Sequence, residues 1–182
     1  QYKPDILLSG INKGRNVGED MTYSGTIAAA MEATLLGVPA IALSQDMNEE
    51  DHRDFGINGM KNSSAAMEYA AKVIKKVVQV TWPKDVLINV NFPATTSSKV
   101  RGIEVTREGR NKIGDEILEH RDPWNKPYYW IGSRHISNNH PLGTDINAVE
   151  RNVVSVTPIS MDMTHKPMIK ILFIGDIVGK PG

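Results

Sequence analysis

The alternation of apolar and polar stretches at the start of the chain predicts a strand, a helix and a second strand. A short apolar run within Asp5–Leu8 is typical of a buried strand. Ile27–Leu36 is rich in strong helix formers, and Gly37 followed by Pro39 suits the end of that helix. Val38–Leu43 is apolar again and short enough for a second buried strand. This order makes a βαβ unit with parallel strands, so we predict an α/β fold.

Further along the chain, the pattern predicts one long helix and several strands. Asn62–Val80 carries apolar residues at three- and four-residue steps, with Asn62 or Ser63 as its N-cap. The expected apolar stripe of this helix consists of Ala66, Met67, Ala70, Val73, Ile74 and Val77. Strands are predicted at Val86–Phe92, Gly102–Thr106, Tyr128–Ile131 and Val153–Thr157. The aromatic residues of 128–130 cannot all face one core, since neighbours in a strand point to opposite sides.

Two short polar patterns lie within these later segments. Asn89 and Asn91 are two residues apart in a predicted strand and therefore share a face. They either bond near a functional site or are ordinary hydrogen-bonded polar residues. Thr144 or Asp145 is predicted to cap a helical turn that runs to Glu150.

A polar, glycine-bearing segment, Ser9–Ser24, follows the first predicted strand. In a βαβ unit this segment lies at the carboxyl end of the strand and at the helix N-terminus, where open α/β sheets bind ligands. Its glycines recur every four residues, which lets the backbone approach a ligand closely. Asn12 and Asn16 offer amide oxygens that suit Mg or Mn. The spacing matches neither a dinucleotide fingerprint nor a triphosphate loop.

The segment Ser24-Gly25-Thr26 places hydroxyls and amide groups at the start of the predicted helix. Unpaired N–H groups at a helix N-terminus favour an anion, and phosphate is the usual one. The alternative is that Ser24 or Thr26 is simply the N-cap residue that the helix needs in any case.

Composition narrows the class of protein. The chain has 182 residues, 40% of them hydrophobic and 23% charged, which is ordinary for one soluble globular domain. Lys+Arg and Asp+Glu are equal at 21 each, so no net basic field favours nucleic acid. The absence of cysteine excludes disulfides and thiolate chemistry and fits a cytoplasmic protein. No apolar run reaches the length of a membrane-spanning helix, so no membrane association is expected.

Several separate segments resemble the SurE family of nucleotidases in the same order and with similar spacing. The most specific segment is PDILLSGINKGRNVGEDMTYSGTIAAAMEA followed by LLGVPAIALS. Further similar segments are LINVNFP, GIEVTREGR, DPWNKPYYWIG and GTDINAVERNVVSVTPISMDMT. The resemblance covers residues 1–166 and implies a Rossmann-like, SurE-like sheet core. It also implies a C-terminal β-hairpin region through which the full-length protein forms a homodimer or homotetramer.

The resemblance implies hydrolysis of nucleoside 5′- and 3′-monophosphates with the help of a divalent metal, Mg or Mn. Asn12 corresponds to a metal ligand of the family. In the complete enzyme, the amides and hydroxyls of Ser24, Gly25 and Thr26 are expected to bind the phosphate oxygens, and Ser9 and Asn16 are second-rank candidates for orienting phosphate or ligand. The family's catalytic Asp-Asp pair and a serine ligand have no counterpart in this sequence. We therefore expect residues 1–167 to form a SurE-like domain that lacks its N-terminal metal-ligand strands.

The last fifteen residues, Met168–Gly182, begin like a separate protein. MIKILFIGDIVGKPG resembles the opening of YmdB-type calcineurin-like metallophosphoesterases, in which the residue matching Asp176 binds a metal. We interpret 168–182 as the start of a second phosphoesterase or as a junction tail. A natural tandem fusion is the alternative.

The sequence therefore leaves two alternative hypotheses for the function of this chain. The first is metal-assisted phosphomonoester hydrolysis, for which these residues alone are expected to lack a complete metal site. The second is a non-catalytic module that binds phosphate or nucleotide, or that serves assembly. The two differ in whether AMP binding needs a metal.

Overall fold

A computed structural model describes residues 4–48, 50–51, 63–81, 83–110, 117–131 and 139–164. The predicted tail 168–182, with Asp176, lies outside these residues, as do Asn62 and the linking segment 132–138. None of the helices in the described part combines the length and apolar character that crossing a bilayer requires.

The core is a five-stranded mixed sheet in the order β1-β2-β3-β7-β4. The strands are β1 (Leu7–Lys13), β2 (Ala40–Gln45), β3 (Val86–Phe92), β4 (Gly102–Val105) and β7 (Val153–Ser160). Strands β1, β2 and β3 are parallel, as the βαβ pattern predicts. Strand β7 pairs antiparallel with β3 and parallel with β4, so the last two strands run in the opposite direction. The predicted α/β class with a parallel-sheet core is confirmed.

Two helices cover the two faces of this sheet. Helix α1 (Gly25–Leu35) packs Ile27, Ala30 and Ala33 against Ala40, Ala42 and Leu87. Helix α2 (Ala65–Val77) packs against the opposite face, formed by alternate residues of β2 and β3. The members of that second cluster include Ile41, Leu43, Ile88, Val90, Phe92, Ala66 and Val73. Because successive side chains of a strand point to opposite faces, alternate residues of β2 and β3 face α1 on one side and α2 on the other.

Helix α2 differs from its prediction at one position of the apolar stripe. Met67 is 83% exposed, whereas Ala66 and Val73 are buried. Met67 is one residue, or about 100°, away from Ala66 around the helix, and this places it outside the contact face. The helix is also shorter than predicted, and Ser64 occupies its N-cap position without a side-chain capping bond.

The remaining elements lie at the ends of the sheet. A 3-10 helix spans Gly18–Tyr23 within the segment predicted as loop, and a second spans Ser97–Lys99. Helix α3 (Asp145–Glu150) precedes β7 and has Thr144 as its N-cap, with the Thr144 hydroxyl accepting from the Asn147 N–H. The predicted capped turn is confirmed, with Thr144 rather than Asp145 as the cap.

A separate antiparallel hairpin consists of β5 (Ile117–Arg121) and β6 (Pro127–Ile131). Strand β5 was not predicted from the sequence, whereas the aromatic strand β6 was. Tyr129 and Trp130 are 64% and 62% exposed, so both faces of the hairpin carry uncovered aromatic surface.

Candidate phosphate and metal site at the end of strand β1

The SGIN segment lies inside strand β1 and not in a loop after it, which corrects the predicted strand boundary. The pairing of β1 with β2 shifts register between Ser9 and Asn12, and the Gly10–Ile11 peptide bond is cis. Gly10 has φ +126°, and a Cβ atom there would lie 2.3 Å from the carbonyl oxygen of Leu43. Glycine is required here, since no other residue allows β1 to approach β2 so closely. The irregularity carries Asn12 to the carboxyl end of the strand.

In the side-chain amide of Asn12, the nitrogen is hydrogen-bonded within the described part of the chain and the oxygen is not. Its Nδ2 donates to the carbonyl oxygen of Gly14 at 3.0 Å, and the Gly14 N–H donates to the carbonyl oxygen of Gln45 at 2.8 Å. No described residue donates to Oδ1 of Asn12. The bond to Gly14 therefore orients the amide so that its oxygen, a hard ligand, is the available atom.

Asn16, by contrast, is buried and bonded to neighbouring strands on all but one of its polar groups. Its N–H donates to Oδ1 of Asn91 at 2.8 Å, and its Nδ2 donates to the Ser44 hydroxyl at 2.8 Å. Its carbonyl oxygen accepts from Nδ2 of Asn89 and Nδ2 of Asn91, at 2.8 and 3.0 Å. Asn16 thus attaches the loop to strands β2 and β3. The shared face of Asn89 and Asn91 serves this attachment.

The start of α1 has both an N-cap residue and, among the described residues, unpaired N–H groups, the two alternatives that the sequence left open. Ser24 is the N-cap, and its hydroxyl accepts from the Ile27 N–H at 3.2 Å. The capping alternative is therefore correct for Ser24. The N–H groups of Gly25 and Thr26 have no acceptor among the described residues. These two donors, at the positive end of the helix dipole, remain available to an anion.

Asp145 joins three separate segments beside this site. Its Oδ2 accepts from the Gly18 N–H at 2.8 Å, and its Oδ1 accepts from the N–H groups of Gly109 and Ile146 at 2.7 and 2.8 Å. The carboxyl group is fully buried. Burial raises the pKa of Asp145 above its ordinary value, although the three N–H donors act in the opposite direction. Sequence analysis missed this role because two of the three donors, Gly18 and Gly109, lie far from Asp145 along the chain.

A cavity of about 520 Å³ opens next to Asp145, lined by Glu19, Arg107, Glu108, Gly109 and Arg110. Partial burial raises the pKa of Glu108, and the nearby charges of Asp145 and Glu19 add to the shift, while Arg110 opposes it. Within the described ranges, no group of three His, Asp or Glu side chains is placed to hold a metal ion.

The chain is similar to known proteins in both sequence and structure. The family profile described as Survival protein SurE matches residues 1–115. The 5'-nucleotidase SurE of Paramagnetospirillum magneticum is 48% identical over 170 residues, covering 93% of this chain and 62% of that protein. The 5'-nucleotidase SurE of Parvibaculum lavamentivorans is 46% identical over 173 residues, covering 93% and 60%.

The crystal structure of SurE protein from Aquifex aeolicus superposes with a TM-score of 0.72 at 38% identity. It covers 90% of this chain and 62% of the Aquifex chain. The present chain therefore spans about three-fifths of the length of the relatives that it matches. The shared fold and the family match over most of the chain together place this chain in the SurE family.

Proposed function

We propose that this chain carries the phosphate-binding part of a nucleotidase that hydrolyses nucleoside 5′- and 3′-monophosphates to nucleoside and phosphate. The observation that carries the proposal is the arrangement at one edge of the sheet. There Asn12, with its available oxygen, lies near the carboxyl end of β1, and the free N–H groups of Gly25 and Thr26 lie at the start of α1. The naming of the relatives as 5'-nucleotidase SurE supports the same assignment.

The substrate phosphate would lie at the N-terminus of α1. The N–H groups of Gly25 and Thr26 would donate to its oxygens, and the hydroxyls of Ser24 and Thr26 would add further hydrogen bonds. Such donors stabilise the charge that spreads over the phosphoryl oxygens during transfer to water. Ser9 lies on β1 beside Gly10 and would orient the substrate. Asn16 would act indirectly, since its bonds to Ser44 and Asn91 hold the loop in place.

A divalent metal, Mg or Mn, fits the available oxygen of Asn12, because both ions prefer hard oxygen ligands. When bound, such a metal supplies Lewis-acid chemistry and lowers the pKa of a coordinated water. Asn12 contributes one neutral oxygen held in place by the bond to Gly14. We expect these 182 residues alone to bind the ion weakly and to show little phosphatase activity, since one neutral amide holds such an ion poorly.

Calorimetry with AMP, with and without Mn²⁺, separates this function from a non-catalytic phosphate-binding or assembly module. Tighter AMP binding in the presence of Mn²⁺, lost in Asn12→Ala, supports the metal-assisted site. Equal binding with and without metal supports the module instead.

In the catalytic experiment, the part of the Paramagnetospirillum relative that this chain does not cover is fused to this chain, and AMP hydrolysis by the fusion protein is measured. Unchanged turnover after Asn12→Ala in that fusion would refute the ligand role.

Substitutions at Ser24 separate its two roles. Ser24→Ala removes the cap and should cost about 1 kcal/mol of stability, whereas Ser24→Gly should cost only about a few tenths. Both variants remove the hydroxyl, so both should weaken phosphate binding by a similar factor. Chemical unfolding and phosphate titration measure the two effects. Unchanged phosphate affinity in Ser24→Gly would confine Ser24 to capping.

The assembly and location of the protein belong to the same proposal. The exposed aromatic surface of β6 supports a homodimer or homotetramer formed partly through the hairpin. Equal numbers of basic and acidic residues give no support for nucleic acid as a partner. The lack of cysteine suits a reducing cytoplasm.

A further inference from the structure

We propose that Asp145 is a positioning residue that sets the geometry of the phosphate-binding end of α1 through the 3-10 helix Gly18–Tyr23. The proposal rests on the proposed function for its ligand, but its structural part stands on the contacts of Asp145 alone. Family resemblance predicts a role for the Ser24–Thr26 segment, whereas the sequence pattern around Asp145 indicates no more than a helix cap.

The contacts of Asp145 are those of a remote cap for the 3-10 helix Gly18–Tyr23. Val17, the residue before that helix, provides no side-chain capping bond. The Gly18 N–H instead donates to Oδ2 of Asp145 at 2.8 Å, across 127 positions of sequence. A carboxylate on the first N–H of a helix is favourable for both hydrogen bonding and the helix dipole.

The position of Asp145 itself is defined by backbone bonds to the segment that lines the neighbouring cavity. The Arg107 N–H donates to the carbonyl oxygen of Gly143, and the Asp145 N–H donates to the carbonyl oxygen of Arg107, at 3.0 and 2.9 Å. The side chain then reaches the Gly109 N–H at 2.7 Å. The backbone of Asp145 is therefore fixed by its bond to Arg107, and its side chain in turn fixes the Gly18 N–H.

The two glycines that donate to Asp145 are packed against each other without spare room. A Cβ atom on Gly18 would lie 3.1 Å from the carbonyl oxygen of Gly109 and 3.1 Å from Cδ1 of Ile146. A Cβ atom on Gly109 would lie 2.8 Å from the same Ile146 atom. The junction is thus a rigid contact between backbones, and a change at Asp145 is transmitted to Gly18.

The rigid path continues from Gly18 to the phosphate-binding residues. The 3-10 helix begins at Gly18 and ends at Tyr23, and the next residue, Ser24, is the N-cap of α1. The Ser24 N–H donates to the carbonyl oxygen of Met21 at 3.2 Å, which joins the two helices without a flexible link. Displacement of Gly18 therefore moves Ser24 and the free donors of Gly25 and Thr26.

Asp145→Asn tests the proposal because it preserves shape and removes one acceptor. Oδ1 accepts two N–H groups and Oδ2 accepts one, so the asparagine oxygen should stay with Gly109 and Ile146. Its amide group then faces the Gly18 N–H, which loses its acceptor. We expect the hydrogen-exchange protection of Gly18 to fall at least about tenfold beyond any global loss, while Gly109 keeps its protection.

Two control variants separate positioning from general destabilisation. Val154→Ala creates a cavity in the core against α2 and should lower stability without a selective effect on Gly18. Glu104→Gln makes the same change of carboxylate to amide in a partly exposed pair with Arg151 and should leave Gly18 unchanged. Inorganic phosphate affinity, compared at equal folded fraction, should fall severalfold in Asp145→Asn and stay unchanged in Val154→Ala.

The possible outcomes are distinct. Protection of Gly18 that falls only as far as in Val154→Ala overturns the proposal, and so does unchanged phosphate affinity in a folded Asp145→Asn. A wild-type chain that binds no phosphate contradicts the proposed function, and Gly18 protection then still decides the role of Asp145. If Asp145→Asn fails to fold, the amide resonances of Gly18 and Gly109 are instead followed against pH in the Glu108→Gln variant, which keeps Asp145. A joint titration of the two supports the proposal, and independent titrations overturn it.

Discussion

At the residue scale, the site depends on which atoms the backbone leaves available. Asn12 and Asn16 have the same side chain and lie four residues apart, yet the structure uses them differently. The Asn12 side-chain oxygen accepts no hydrogen bond from the described residues. Asn16, by contrast, is hydrogen-bonded to Ser44, Asn89 and Asn91. Sequence reasoning assigned both to ligand chemistry, because residue type alone does not reveal which one the sheet will bury.

Gly10 gives a direct residue-scale prediction. Gly10→Ala should lower the free energy of unfolding by roughly 3 kcal/mol, because its φ is positive and the new Cβ would meet the Leu43 carbonyl oxygen. Gly25→Ala is the matched control, since nothing lies within 4 Å of a Cβ there. Urea unfolding measures both variants. Equal stability of the two would show that β1 can move away from β2 without cost.

At the element scale, side chains on strand β3 hold the loop after β1 against the sheet. Asn89 and Asn91 lie on the face of β3 that also carries Leu87, and both donate to the Asn16 carbonyl oxygen. Periodicity along β3 predicted that they share a face. It could not identify their partner, which is 73 and 75 positions away for the two residues.

Removal of one of these side chains should destabilise the loop more than the sheet. Asn91→Ala leaves the buried Asn16 N–H without an acceptor and should cost about 1–3 kcal/mol. Amide exchange of residues 14–18 should rise more than that of β2. Ser98→Ala, an exposed substitution on the second 3-10 helix, serves as the control. Uniform loss of protection across the sheet would contradict a local role for Asn91.

At the scale of the whole molecule, two carboxyl groups with raised pKa values set the pH dependence of stability. Asp145 and Glu108 hold a proton more tightly in the folded state than in the unfolded chain. Stability should therefore fall as pH rises from the unfolded value, about 4, through the raised pKa values. The lowered pKa of Glu68, set chiefly by its bond to Lys72, acts in the opposite direction.

Urea unfolding across this pH range measures the effect. The double variant Asp145→Asn and Glu108→Gln should flatten the pH profile, because neither amide titrates. Stability that rises with pH through the whole interval in the wild type, and equally in the double variant, would show that these carboxyl groups do not control the profile.

The hairpin β5–β6 gives a second prediction at this scale. An isolated two-stranded hairpin is marginally stable in water, and Tyr129 and Trp130 are mostly exposed. We expect the double variant Tyr129→Ser and Trp130→Ser to raise the dissociation constant of the oligomer at least about tenfold. Sedimentation velocity measures this change, with Met67→Ala on α2 as an exposed apolar control. A monomeric wild type would contradict assembly through the hairpin.

Features with a local cause can be read directly from the sequence. Apolar period and helix propensity located α1, β2 and β3 within a few residues. Polar residues at two helix starts gave two candidate caps each, and Ser24 and Thr144 are the ones that cap. The family resemblance likewise rests on contiguous segments. Such signals survive in a single sequence because the interacting groups are at most a few residues apart.

Which distant groups meet depends on the three-dimensional arrangement of the strands and helices. The reversed direction of β7, the bonds of Asn16 to β3 and the contact of Asp145 with Gly18 all join positions far apart in the chain. A hydrogen bond between such positions leaves no periodic trace in either segment, because each side chain meets its partner only after the sheet has formed. The candidate turn before α1 is therefore apparent from the sequence, whereas the fold supplies the bonds that hold that turn in place.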